Sequence, residues 1–224
     1  MRAATKPMNS PAFHLPPPTR ICIVRHGETD WNAARRIQGQ TDIPLNANGY
    51  KQAFATARGL AKEQFAALYS SDLQRARDTA APAAQLLQLP LQPEPGLRER
   101  HYGDYQGLTQ DEIKTREDFP RYISRDPHFA FGSGESLAAF SDRIKETINR
   151  LAQRHAGESI VLFAHGGVLD IVYRIATYRP LETARDFPIP NAALNWIEVG
   201  NPGWQLLDWG AQAHLEDSME LAVE

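Results

Sequence analysis

The sequence predicts a single α/β domain. Two apolar runs, Ile21-Cys22-Ile23-Val24 and Ile160-Val161-Leu162-Phe163-Ala164, have the length of buried strands. Each empties into a histidine followed by glycine, at His26-Gly27 and His165-Gly166. Between and after them, segments of helical spacing alternate with strand-like runs, the pattern of a sheet layered by helices. Open α/β sheets bind ligands outside the carboxyl ends of their strands. Two such strands lying parallel and close would therefore bring both imidazoles to one edge.

The first strand is expected to hand Arg25 and His26 to that edge. Residues 28–45 contain Thr29, Asp30, Trp31, Asn32 and the pair Arg35-Arg36 without a regular period, so a loop or short helix is expected. Tyr50, Ala53, Phe54, Ala57, Leu60 and Ala61 follow helical spacing, with Asn46 or Asn48 as the cap. Ala66 to Ser70 reads as a second strand. Ser71 and Gln74 have capping-box spacing, which predicts a helix with Arg75 in its first turn and Pro82 as its kink or end. Leu89 to Gln92 is a candidate edge strand, where Pro90 and Pro93 are tolerated. Gly96 to Gly107 reads as a glycine-spaced loop carrying Glu99, Arg100, His101 and Tyr102, followed by a capping box at Thr109 and Glu112. Leu137, Phe140, Ile144, Ile148 and Leu151 trace one face of a long helix that starts at Ser136 and is closed by Gly157. Val168 to Ala176 predicts a helix that is apolar nearly all round. Ala192 to Val199 and Trp204 to Trp209 read as the last strands, joined by the turn Gly200-Asn201-Pro202-Gly203.

The expected organisation is a flexible N-terminal tail over 1–19, one domain over 20–210 and an acidic tail over 211–224. At 224 residues, with 42% hydrophobic and 23% charged residues, the chain has the composition of a soluble globular domain with a sizeable core. A formal net charge of -3 and the lack of a long basic run argue against nucleic acid as a partner. No apolar stretch reaches the length of a membrane span, so no membrane partner is expected either. The proline-rich residues 1–19 lack the apolar centre of a signal peptide. One cysteine, Cys22, permits no internal disulfide and agrees with a cytoplasmic location; its place in an apolar strand marks it as a core filler. The association state stays open, with a homo-oligomer among the options.

Arg25, His26, Arg75 and His165 together form a concentrated site for a doubly charged oxyanion such as phosphate, because arginine offers a rigid fork that suits it. Gly166-Gly167 at a helix start adds backbone N–H groups and the positive end of the helix dipole, and Asn32 is a candidate neutral donor. No cluster has the spacing of a metal cage, so neither metal nor cofactor is expected. A neutral histidine facing a phosphoryl group held by cations can attack phosphorus and form a phosphohistidine that water then hydrolyses. Glu99 is the candidate acid for the leaving oxygen and base for that water. Each residue alone has an ordinary reading: a satisfied histidine at a strand end, or a solvated surface charge at Arg75 and Glu99. Their co-occurrence points to phosphoryl chemistry on a small phosphorylated metabolite.

The same residues resemble the histidine phosphatase superfamily, also called phosphoglycerate mutase-like. The resemblance rests on Arg25-His26-Gly27-Glu28-Thr29 with Trp31-Asn32, Gln38-Gly39, Ser70-Ser71-Asp72-Leu73 with Arg75-Ala76, Leu97-Arg98-Glu99, Gly134-Glu135-Ser136 and Ala164-His165-Gly166-Gly167. It covers about residues 20–209. It implies a three-layer sandwich, a mainly parallel sheet with one antiparallel strand between helices. It implies His26 as the phosphorylated nucleophile, a phosphate pocket of Arg25, Arg75 and His165, and Glu99 as proton donor. Asn32, Gln38, Gly39 and Gly166 are the further substrate contacts it implies. Loop 97–107 is similar to the mutase version, but Leu108-Thr109-Gln110 stands where cofactor-dependent mutases carry a lysine, and their adjacent arginine pair is missing between Lys114 and Gly134. Mutases also follow the second histidine with Gly-Asn, where this chain has Gly166-Gly167. The expected activity is therefore a phosphatase, with a cofactor-dependent mutase and a non-catalytic phospho-ligand module as alternatives.

Overall fold

The computed structural model describes residues 16–220. Its elements in chain order begin with β1 (Thr19–Arg25), α1 (Asp30–Ala33), α2 (Ala47–Leu60), β2 (Ala67–Ser70), α3 (Gln74–Leu87) and β3 (Leu91–Pro93). After two short 3₁₀ turns come α4 (Gln110–Lys114), α5 (Phe119–Ser124), α6 (Leu137–Arg154), β4 (Ser159–Ala164) and α7 (Gly166–Ala176). The chain ends with β5 (Leu194–Val199), β6 (Trp204–Ala211) and α8 (Ala213–Glu220). The strands form one sheet in the order β3-β2-β4-β1-β5-β6. β5 alone runs against its neighbours; β3, β2, β4 and β1 are mutually parallel. This is the three-layer, mainly parallel arrangement that the resemblance implied.

Period-2 alternation divides the central strands between two cores. Ile21 and Ile23 of β1, with Ile160 and Leu162 of β4, pack with Phe140, Ile144 and Ile148 of α6 and Val168 and Val172 of α7. Cys22 and Val24, with Val161 and Phe163, face Ala57 and Leu60 of α2 and Ala80 and Ala83 of α3. Both faces of β1 and β4 are covered, which explains why their sequences are continuous apolar runs. Burial pushes the Cys22 thiol far up, so it stays a protonated core filler. A third, smaller cluster joins Tyr105, Ile113 and Phe131 to Phe119, Tyr122 and Phe129, and holds α4 and α5 together beside the sheet edge. No helix among the described residues is long and apolar enough to cross a membrane.

Several local expectations are corrected. α3 is not capped by Ser71: its cap position is Leu73, with no side-chain bond, and the Ser71 hydroxyl turns inward instead. Pro82 does not end that helix, which runs to Leu87 with Ala76, Ala80 and Ala83 buried along it. Asn46 caps α2 as expected, but Tyr50 and Phe54 are 43% and 58% exposed. The buried face of α2 is built instead from small residues, because the helix start lies directly on the backbone after β1. A side chain at Gly49 would meet the Glu28 carbonyl at 2.1 Å. The expected acidic tail over 211–224 is helical over Ala213–Glu220 and lies against α2, where a side chain at Gly59 would strike His214. Most of the expected N-terminal tail, residues 1–15, lies outside the described residues, and Thr19 already belongs to β1.

Candidate active site

The register of the two central parallel strands fixes the site. Arg25 pairs with Ala164, so the next residue of each strand is a histidine, and the His26 N–H donates to the Ala164 carbonyl at 2.9 Å. The two rings lie with centroids 5.3 Å apart, inclined by 56°. His26 Nδ1 is 2.7 Å from the Gly27 carbonyl, which can only accept, so Nδ1 carries the proton and Nε2 keeps its lone pair. His165 Nε2 lies 2.8 Å from Ser71 Oγ, while His165 Nδ1 has no partner among the described residues. The Ser71 oxygen also accepts from the Leu73 N–H at 3.3 Å. When the Ser71 hydroxyl donates to Nε2, the ring proton of His165 sits on the unpartnered Nδ1. Burial, followed by the charges of Arg75 and Arg25, holds His26 well below the ordinary histidine range; burial and Arg75 do the same to His165. Both rings are neutral at pH 7.

Arg25 and Arg75 line the same cavity as His26, and the charge of each acts on its ring. Arg25 extends from the end of β1 and donates to the Ile189 carbonyl, and Arg75, fully buried in the first turn of α3, donates to the carbonyls of Thr41 and Gly39 at 2.9 and 2.6 Å. In each, the Nε–H is buried with no partner among the described residues. Burial lowers both guanidiniums to about 10, against the opposing charge of Glu99, so both stay cationic at neutral pH.

Glu99 sits at the start of α7, accepting from the Gly167 N–H at 2.9 Å and the Arg100 N–H at 2.8 Å. A side chain at Gly167 would strike its carboxylate at 2.1 Å, so the second glycine of His165-Gly166-Gly167 is what admits Glu99. One of the two N–H groups expected to face the anion is thus occupied by the carboxylate. The loop is held by Arg98, which forks onto Asp72 at 2.7 and 2.5 Å, and by Arg143, which donates to the carbonyls of Gly96, Arg98 and Glu99.

Arg25, His26, Asn32, Gln38, Gly39, Arg75, Glu99 and Gly166 all line one cavity of about 470 Å³. His165 lies behind that wall, against His26. The Asn32 amide oxygen is taken by the Thr29 capping box and by Asn191, which leaves its nitrogen as the donor for the cavity. Gln38 presents a buried amide oxygen without a partner. Gly39 has φ +53°, and its carbonyl holds Arg75.

Sequence reasoning missed several supporting residues. Ser71 orients His165, Thr79 accepts from the Gly27 N–H at 2.9 Å, and Asn191 donates to the His26 carbonyl at 2.8 Å. The first two fall within the Ser71…Arg75…Thr79 stretch, whose i, i+4 spacing was a usable signal for Thr79. Asn191 had none.

A neutral imidazole with a free ring nitrogen that shares a cavity with two guanidiniums and a carboxylate is an arrangement suited to phosphoryl transfer in an α/β enzyme. Residues 21–212 match the model of the histidine phosphatase superfamily (branch 1). The chain is 39% identical, over 88% of its length and 83% of the relative's, to the metal-independent phosphoserine phosphatase of Arabidopsis thaliana. It is 41% identical to phosphoglycerate mutase-like protein 4 of the same plant, over 88% of this chain and 87% of that one. A crystal structure of the Entamoeba histolytica phosphoserine phosphatase in complex with 3-phosphoglyceric acid superposes with a TM-score of 0.80 at 27% identity, covering 88% of this chain and 99% of that chain. The chain belongs to the histidine phosphatase superfamily, and its activity is that of a phosphatase, a hydrolase.

Because burial and two cations depress both histidines, neither ring is expected to titrate between pH 6 and 8 in the free protein. Nitrogen chemical shifts of ¹⁵N-histidine-labelled protein are expected to show His26 as the Nδ1–H tautomer throughout. A titration near pH 6.5 on either ring would contradict the electrostatic assignment.

Proposed function

We propose that this protein hydrolyses small phosphate monoesters through a phosphohistidine on His26. The observation that supports this most is a set of four nitrogens: the lone pair of His26 Nε2 on a ring that lines the cavity, and three buried groups without protein partners among the described residues, Arg25 Nε, Arg75 Nε and His165 Nδ1. Unpaired buried donors are costly unless a ligand satisfies them, and a phosphoryl group is the ligand that fits three donors around a nucleophile.

In the first half-reaction His26 Nε2 attacks phosphorus, and the bond to the ester oxygen breaks as that oxygen takes a proton from Glu99, which receives it from the monoanionic form of the ester. The equatorial oxygens gain charge in the transition state, and the guanidiniums stabilise them without reorganising. In the second, Glu99 takes a proton from water as it attacks, the P–N bond breaks, and inorganic phosphate leaves. His165, held by Ser71, stabilises the phosphoryl group as a neutral donor. No metal is needed, because the two guanidiniums take the role that a divalent ion has in other phosphoryl-transfer sites. A mutase would have to hold a bisphosphate intermediate against water, and Leu108-Thr109-Gln110 offers no lysine for it. We place the protein in the cytoplasm, where its one thiol, Cys22, needs no pairing.

Rapid-quench labelling with a ³²P-labelled ester is expected to trap acid-labile, base-stable phosphate on His26, and His26→Ala is expected to reduce turnover to background. Label on His165 or on a serine would reject the assignment. Glu99→Gln tests the proton donor: in single turnover it is expected to slow phosphorylation by alkyl phosphates about 10²–10⁴-fold more than by p-nitrophenyl phosphate, whose leaving group needs no proton. Equal slowing with both would mean that Glu99 only positions the phosphate.

A further inference from the structure

Three neighbouring residues singled out in the sequence, Gly134-Glu135-Ser136, have no part in the chemistry described so far. In the structure they meet the segment that carries Glu99. Residues 98–102 belong to no helix or strand, so no regular ladder of backbone bonds fixes them. The Glu99 carboxylate accepts from the N–H groups of Gly167 and Arg100, and no side chain bonds to it among the described residues. Its place in the cavity therefore depends on where the backbone of residues 98–100 lies.

That backbone is held by one guanidinium. Arg143 lies on α6, eight residues beyond Glu135. A guanidinium has five N–H donors, and Arg143 uses all of them. Nη1 donates to the carbonyls of Gly96 and Arg98 at 2.9 and 3.0 Å, and Nη2 to the Glu99 carbonyl at 3.3 Å. Nε and Nη2 also donate to the two carboxylate oxygens of Glu135, each at 2.8 Å. Glu135 in turn accepts the His101 N–H at 2.9 Å, and its own N–H donates to the His101 carbonyl at 2.8 Å. Its carbonyl receives the Arg100 guanidinium. The pair thus grips the chain on both sides of Glu99. Gly134 permits the approach, because a side chain there would meet the His101 carbonyl at 2.5 Å. Ser136 caps α6 by accepting from the Ala139 N–H at 3.1 Å, which fixes the start of the helix that carries Arg143.

Building on the reading of Glu99 as proton donor, we propose that Arg143 and Glu135 are positioning residues that hold Glu99 in line with the leaving oxygen. Neither borders the cavity, so both act through Glu99 rather than on the substrate. Displacing a catalytic group by about 1 Å can cost about 10²-fold in rate. The charge of Arg143 also acts on His165. A role through charge alone would survive replacement by lysine. A role through geometry would not, because an ammonium has three donors and no planar fork.

The test is Arg143→Lys, read in single turnover with glycerol 1-phosphate and p-nitrophenyl phosphate. Phosphorylation by the alkyl ester is expected to slow about tenfold more than phosphorylation by p-nitrophenyl phosphate, whose leaving group needs no proton. In a Glu99→Gln background the same substitution is expected to change that ratio by less than about threefold, because the group it positions has lost its function. Equal slowing with both esters, no slowing, or an undiminished penalty in the Glu99→Gln background would each overturn the proposal. Should Arg143→Lys not fold, Glu135→Gln replaces it under the same criteria. If Glu99→Gln alone slows both esters equally, the proton-donor reading has failed, and a crystal structure of the variant decides the positioning by itself. A Glu99 carboxylate moved off the Gly167 N–H would support it; one still at hydrogen-bond distance would overturn it.

Discussion

The structure depends on the parallel pairing of β1 with β4. The register that sets Arg25 beside Ala164 puts His26 and His165 in adjacent positions just past the sheet. A one-residue slip would turn every side chain of one strand to the other face. Ile21 and Ile23 would leave the core shared with α6 and α7, and the histidines would separate. The apolar alternation that divides the two cores is thus the same constraint that assembles the site.

From that pairing the electrostatics follow. Charged groups are costly to bury, yet Arg25 and Arg75 are both sequestered and remain cationic. Their hydrogen bonds run to carbonyls of Ile189, Thr41 and Gly39 and leave the buried Nε–H of each without a partner among the described residues. Burial, with these two charges added, keeps the histidines neutral, and a neutral imidazole can act as a nucleophile where a protonated one cannot. The Gly27 carbonyl sets the tautomer of His26 and leaves a lone pair on its Nε2, while Ser71 holds His165 by Nε2 and leaves Nδ1 without a partner among the described residues. Glu99 can enter this cationic pocket because Gly167 leaves room for it at the N-terminal end of α7.

Most of the frame was legible in the sequence, since the strand-to-histidine runs and the long amphipathic helix are strongly periodic. The fold class and the inner-site residues came from those runs and from motif spacing. Errors arose where a tertiary contact redirected a locally plausible choice. Ser71 has the spacing of a cap, but a buried imidazole offered its hydroxyl a better partner. Tyr50 and Phe54 follow helical spacing, but the close approach of Gly49 to the chain after β1 required a face of small residues.

The most direct test of this account is a crystal structure with orthovanadate, which adopts the five-coordinate geometry of a transferring phosphoryl group. Vanadium is expected to bond to His26 Nε2, with equatorial oxygens accepting from Arg25 Nε, Arg75 Nε and His165 Nδ1, and Glu99 beside the apical oxygen opposite His26. Vanadate bonded to His165, or held in the cavity with no bond to either histidine, would contradict it.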